Sequence, residues 1–249
     1  MFFLTVKKIL AVIAIFTVFA GVSDVVLAKR AYEENNDTKV STERKSFRER
    51  IDAIMAEIDK AEQPTQKEYD IYPGTPVITS IYDESILGRA MATEEQCVNF
   101  LLSKNPSPKL SVSPEELVSL YYEEASREGV RPDVAFAQAL HETGFFAYGG
   151  TVIPEQNNYC GLGTTSSTVK GHFFPTARMG VRAHIQHIIA YATSRMPVED
   201  LVDPRFQKAR NAYGSLGITT WNGLNGRWAV PGIGYGDKIM NYFRQILNK

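Results

Sequence analysis

Cysteine is scarce, with only Cys97 and Cys160 in a chain of 249 residues. That excludes a disulfide-stapled framework, so a core must hold the fold, and 44% hydrophobic residues can supply one. Spacing alone leaves open whether the two thiols pair or lie buried and apart. A basic excess is missing too. The formal net charge of −1 excludes nucleic acid as the main partner, because no surplus cations neutralise a run of phosphates. No internal repeat is present, and the metal-binding pattern is incomplete. His141-Glu142 begins like the H-E-x-x-H zinc helix, but Phe145 stands where the second histidine belongs. His184 and His187 share a helical face without a neighbouring acidic ligand, a pattern that suits solvent-facing or hydrogen-bond-capped histidines better than a metal. Neither metal nor cofactor is expected.

What the chain does have begins with its N-terminus. Lys7 and Lys8 precede an apolar run from Ile9 to Val22, and Val26-Leu27-Ala28 offers the short residues a signal peptidase uses. Export is therefore expected. Residues 1–28 read as a signal peptide or, uncleaved, as a membrane anchor, since Ile9 to Ala28 is long enough to span a bilayer despite Asp24. Residues 29–80 read as a charged spacer with one amphipathic helix (Phe47, Ile51, Ile54 and Ile58) and a turn-rich linker after Pro64. That helix can dock on the main domain or pair with a partner. Residues 81–249 remain for one main domain.

Within it, Thr93-Glu-Glu-Gln96 and Ser113-Pro-Glu-Glu116 are capping boxes, each opening a helix; Gly129 stops the second. A third helix spans PDVAFAQALHET, with Pro132 at its first position and Gly144 at its stop. It is apolar on nearly all sides, so it belongs in a core. Gln138 and Glu142 share one face four residues apart, a polar strip that is costly to bury unless it lines a cleft. Apolar neighbours Phe145, Phe146 and Tyr148 disfavour an ionised Glu142, and a carboxyl kept neutral near pH 7 can protonate a leaving oxygen. A partly solvated glutamate at a helix end is the plainer alternative. Residues 147–178 are rich in Gly, Asn, Thr and Ser and read as loop and short hairpin. Helices follow from Gly180, around Val198 to Arg210, and from about Asp237 to Leu247.

AFAQALHETGFF resembles the segment that carries the catalytic glutamate in glucosaminidase domains of glycoside hydrolase family 73. Asn158-Tyr-Cys-Gly-Leu-Gly163, Phe174-Pro-Thr176 with Gly180-Val-Arg-Ala-His184, and Gly234-Tyr-Gly-Asp-Lys-Ile239 are similar to further family segments in the same order. The resemblance covers roughly residues 85–249. It implies a mainly α, lysozyme-like domain with a small hairpin lobe after the catalytic helix. It also implies hydrolysis of the bond between N-acetylglucosamine and N-acetylmuramic acid in peptidoglycan strands, at the cell wall or secreted. Glu142 would be the general acid and Tyr235 the family's functional tyrosine. One departure stands out. Where many members carry a second acidic residue, Gln156 to Val198 contains no Asp or Glu. Glu155 is the candidate left in the lobe, Asp203 and Asp237 are further options, and the substrate's 2-acetamido group can serve instead. Gln138, Asn158, Tyr159, Phe174 and Trp221, with Asn157, Phe145, Phe173 and Trp228, are candidates to line a sugar groove. The missing carboxylate keeps two alternatives open, a catalytically silent glycan-binding scaffold and a lytic transglycosylase-like enzyme.

Overall fold

The computed structural model describes residues 47, 49–53, 69–164 and 168–249. The chain divides into two units, Met1–Lys67 and Glu68–Lys249. In the first, the described residues are helical, and Phe47 and Ile51 are exposed. The expected signal segment and the rest of the expected amphipathic helix lie outside the described residues. Among those described, no helix is long and apolar enough to cross a membrane.

The second unit is built from α1 (Glu94–Lys104), α2 (Pro114–Arg127), α3 (Pro132–Thr143), α4 (Ala177–Ala192), α5 (Phe206–Tyr213) and α6 (Tyr235–Ile246). Isolated β-bridges join Ser85 to Thr220, Leu87 to Val130 and Asn225 to Ala229. The fold is mainly helical. Residues 69–80, expected as linker, belong to this unit: Tyr72 donates its backbone N–H to Ser126, and Thr75 and Ile78 are buried.

The helix starts follow their sequence signals. Thr93 Oγ1 accepts from the Gln96 N–H at 3.2 Å, and Gln96 Oε1 accepts from the Thr93 N–H at 2.9 Å, closing the box that opens α1. Ser113 caps α2 by accepting from the Glu116 N–H at 3.1 Å, the one half of its expected box that forms. Pro132 opens α3, and Gly144 closes it in the left-handed conformation, φ 59°. Helix α3 is the central one, buried from Pro132 through Leu140 and packed against α1, α2 and α6. Its fully buried Val134, Phe136 and Leu140 are worth about 2 kcal/mol each. Asp133, in the first turn of α3, favours the helix dipole and also forms a tertiary tie. Its buried carboxylate accepts the N–H groups of Met91 and Ala92 at 2.8 and 3.1 Å, tying the approach to α1 onto the start of α3.

Two segments depart from the periodicity. The helix expected over Val198–Arg210 forms only at Phe206–Tyr213. Glu128 Oε1 takes the N–H of Val198, and Gln186 Oε1 takes those of Val202 and Asp203, so side chains from α4 and the end of α2 hold the backbone extended; Pro204 follows. The lobe after α3 folds back on itself without a β-ladder among its described residues. Polar side chains replace the ladder: Gln156 Nε2 donates to Lys170 O, Asn157 Nδ2 to Phe174 O, and Asn158 Nδ2 to Leu162 O and His172 O. Cys160, Leu162 and Phe174 then pack with Ala183 of α4, and Trp228 rests against that cluster. The cysteines are separate, both buried and unpaired.

Candidate active site

Glu142 lies in the last turn of α3, and its carboxyl receives two donors on one oxygen. Trp228 Nε1–H donates to Oε1 at 3.0 Å, and the Tyr235 phenol donates a short hydrogen bond to the same atom. Burial pushes the carboxyl up from the ordinary 4.5 to about 7, against these two hydrogen bonds, which favour the ionised form. The side chain nevertheless stays partly open to solvent. This is a carboxylic acid half neutral near pH 7, held by donors on Oε1, while Oε2 bonds to none of the described residues and can give or take a proton.

Local sequence explains how Tyr235 and Trp228 arrive there. Gly234 takes a left-handed conformation, φ 67°, to start α6. Gly236 approaches the preceding turn so closely that a Cβ would lie 2.5 Å from Trp221 O and from Asn222 Oδ1. Only glycine permits that contact, and it sets the first residue of α6, Tyr235, against α3. Its ring also meets His141 edge-on, with centroids 5.4 Å apart. Trp228 is wedged between the lobe's apolar cluster and His187, whose ring centroid is 4.9 Å away, while His187 Nδ1 bonds the buried Asp203 at 2.8 Å. Around the turn after α3, Phe145, Phe146 and Tyr148 all have positive φ, near 56°. Outside bonds hold this uncommon run: Asn105 Nδ2 donates to Phe145 O and Lys109 N to Phe146 O.

Behind the carboxyl runs a buried polar line. Gln138 Nε2 donates to the Tyr235 oxygen at 2.8 Å, Gln138 Oε1 meets His184 Nε2 at 3.0 Å, and His184 Nδ1 meets the Tyr121 hydroxyl at 2.8 Å. Burial, with a smaller contribution from His187, pushes His184 down to about 3, so its ring is neutral. His184 is thus hydrogen-bond-capped, and not solvent-facing.

The sequence candidates separate accordingly. Glu142, Tyr235 and Gln138 come together as one bonded group, with Trp228 from the wider set, but Gln138, expected in the sugar groove, is fully buried with both amide ends bonded to Tyr235 and His184, so it holds the phenol and offers nothing to a sugar. Trp221, expected to line a sugar groove, is fully buried against the core. Asn158 and Tyr159 are 1% exposed and Phe174 is 4%; the Asn158 amide is spent on the lobe's own backbone, and both aromatics pack inward. Those four shape the wall behind the site, and their burial leaves no face for a sugar. Phe173, the neighbour of Phe174, is the exposed one at 64%. Glu155 is exposed on a single 3₁₀ turn, Pro154–Gln156, and no hydrogen bond or ion pair joins it to Glu142. Asp237 is exposed in the first turn of α6 and bonds Asn222. Sequence reasoning missed Tyr121 and His184 as parts of the site. The available signal was a histidine set among Val181, Ile185 and Ile188 on a helix otherwise apolar on that side.

Residues 118–247 match the glucosaminidase family, described as mannosyl-glycoprotein endo-beta-N-acetylglucosaminidase. The chain belongs to the glucosaminidase family. The match spans α2 to α6 and so takes in the whole Glu142 constellation. The glucosaminidase domain makes this a glycoside hydrolase of glycan, with peptidoglycan as the implied substrate. A protein of Borreliella burgdorferi described as uncharacterized is 32% identical over 167 residues, covering 67% of this chain and 78% of that one. No solved structure matches the chain.

Proposed function

We propose that this glucosaminidase cleaves the β-1,4 bond between N-acetylglucosamine and N-acetylmuramic acid in peptidoglycan, with Glu142 as general acid. The observation that carries the reading is the pairing of a carboxyl raised to about 7 with two donors on a single oxygen. Because Trp228 and Tyr235 both supply protons to Oε1, the acid proton belongs on Oε2, and it passes from there to the glycosidic oxygen as the bond to C1 breaks. After transfer, the same two hydrogen bonds stabilise the carboxylate, so they are worth more at the transition state than before it.

The cationic sugar left behind needs an electron-pair donor. No Asp or Glu occurs from Gln156 to Val198, Glu155 makes no bond to the site, and Asp203 is tied to His187. We therefore assign that role to the substrate's own 2-acetamido oxygen, with water opening the resulting ring and Glu142, now a carboxylate, taking the water's proton. Phe173 and the exposed side of Trp228 are the aromatic surfaces offered to the sugar. The apolar N-terminal run supports a reaction outside the membrane, in the wall or secreted, with a membrane link only through that run if it is retained.

The test is to digest purified peptidoglycan with the protein and identify the new ends by mass spectrometry. Reducing N-acetylglucosamine ends support the proposal. Anhydro-muramic ends would show that the same lone acid drives cyclisation, and retained but uncut glycan would make the chain a scaffold.

A further inference from the structure

We propose that Tyr121, His184 and Gln138 form a one-way chain of hydrogen bonds that fixes the Tyr235 phenol proton on Oε1 of Glu142, making these three the positioning residues of the acid. The inference rests on the proposed role of Glu142 and names what holds it. Four helices contribute, Tyr121 from α2, His184 from α4, Gln138 and Glu142 from α3, and Tyr235 from α6. Tyr121, His184 and Gln138 are fully buried and Tyr235 is 4% exposed, and the contacts between them are direct, at 2.8–3.0 Å.

An amide in the middle of such a line makes it directional, because one end of Gln138 only donates and the other only accepts. Two complete orders exist. In the first, the Tyr121 hydroxyl donates to His184 Nδ1, His184 Nε2–H donates to Gln138 Oε1, Gln138 Nε2–H donates to the Tyr235 oxygen, and Tyr235 donates to Glu142 Oε1. In the second, every donor is reversed: His184 carries its proton on Nδ1, Tyr235 donates to the amide, and Glu142 must place its own proton on Oε1, aimed into the protein. Two observations select the first. Trp228 also donates to Oε1, which suits an oxygen without a proton. Among the described residues the Tyr121 hydroxyl has no other hydrogen-bond partner, so reversal would strand its proton in the core. The first order alone leaves the acid proton on Oε2.

Other titratable groups border the line without entering it. Cys160 faces Glu142 from the lobe, Tyr159 and Tyr148 flank Tyr121, His187 lies beside His184 on α4 with Asp203 bonded to it from the following segment, and His141, with Lys238 next to it, covers the outer edge of Tyr235. None is bonded to a member of the chain.

The direct test is 15N NMR of the full chain labelled at histidine, with His184 assigned by its loss in His184→Gln. A neutral ring protonated on Nε2 is expected and a ring protonated on Nδ1 overturns the proposal. The kinetic test uses Gln138→Met, which keeps the shape and removes both polar ends. Its kcat should fall at least about tenfold with KM little changed. The alkaline limb of its pH profile should move up, in the same direction as in Tyr235→Phe, because both loosen a bond that favours the Glu142 carboxylate. A purely structural Gln138 would lower the folded fraction and leave the limb in place, and that result refutes the chain. If the wild type cuts no glycan, the functional proposal fails alone. The His184 tautomer and a 13C titration of Glu142 in wild type and Gln138→Met still decide the positioning line.

Discussion

Replacing Glu142 by Gln should make the protein more stable at neutral and alkaline pH, and by an amount that grows in a defined window. Gln keeps the shape and still offers one oxygen to Trp228 and Tyr235, but it never ionises. In the wild type the carboxyl is raised by burial from 4.5 to about 7 in the folded protein. Below pH 4.5 both folded and unfolded chains hold the proton, so wild type and variant differ only by a constant. Between 4.5 and 7 the unfolded chain releases its proton while the folded one keeps it, and wild-type stability falls as pH rises. Above 7 the folded carboxyl ionises too and the loss is complete. At about 1.4 kcal/mol per tenfold change, the full difference is about 3 kcal/mol. For a domain of this size that is roughly 6–12 °C in melting temperature. Urea or thermal unfolding of both proteins from pH 4 to 8.5 measures it. A difference constant across that range would refute the claim that burial holds Glu142 protonated.

Three further outcomes follow from the geometry. Trp228→Phe removes one donor from Oε1, so the Glu142 titration seen by 13C NMR should rise, and glycan cleavage should slow about tenfold. Gly180→Ala puts a Cβ 1.9 Å from Asn157 O, a backbone atom; with the lobe pressed on α4 there, a loss of about 2–3 kcal/mol in denaturant unfolding is expected. Cys97 and Cys160 are buried, unpaired and pushed up by that burial, so neither thiol should react with a maleimide until denaturant is added, and a reductant should leave the melting temperature unchanged.

Much of the fold was legible because its signals are local. Thr93, Ser113 and Gly144 mark helix ends through bonds to residues three or four away, Pro132 marks one through its fixed φ and missing N–H, and the apolar circumference of α3 declared its burial. The segment after α4 was not legible in this way. Its periodicity suited a helix from Val198, but Glu128 and Gln186, far off in sequence, capture its backbone. The lobe misled for a related reason: its glycines and asparagines signal turns, while the bonds that close it run from Gln156, Asn157 and Asn158 side chains. At the site, Glu142, Gln138 and Tyr235 were readable from spacing and family likeness. Trp221 was not, since a tryptophan in a glycine-rich loop looks exposed until the core that covers it is known. Tyr121 and His184 join the site only through tertiary contacts, which no short window contains.

The rate at which Glu142→Gln cuts purified peptidoglycan bears most directly on the proton donor. The account requires a fall of at least about a hundredfold, from a wild-type rate that declines above pH 7. A variant that digests the wall at the wild-type rate would contradict it.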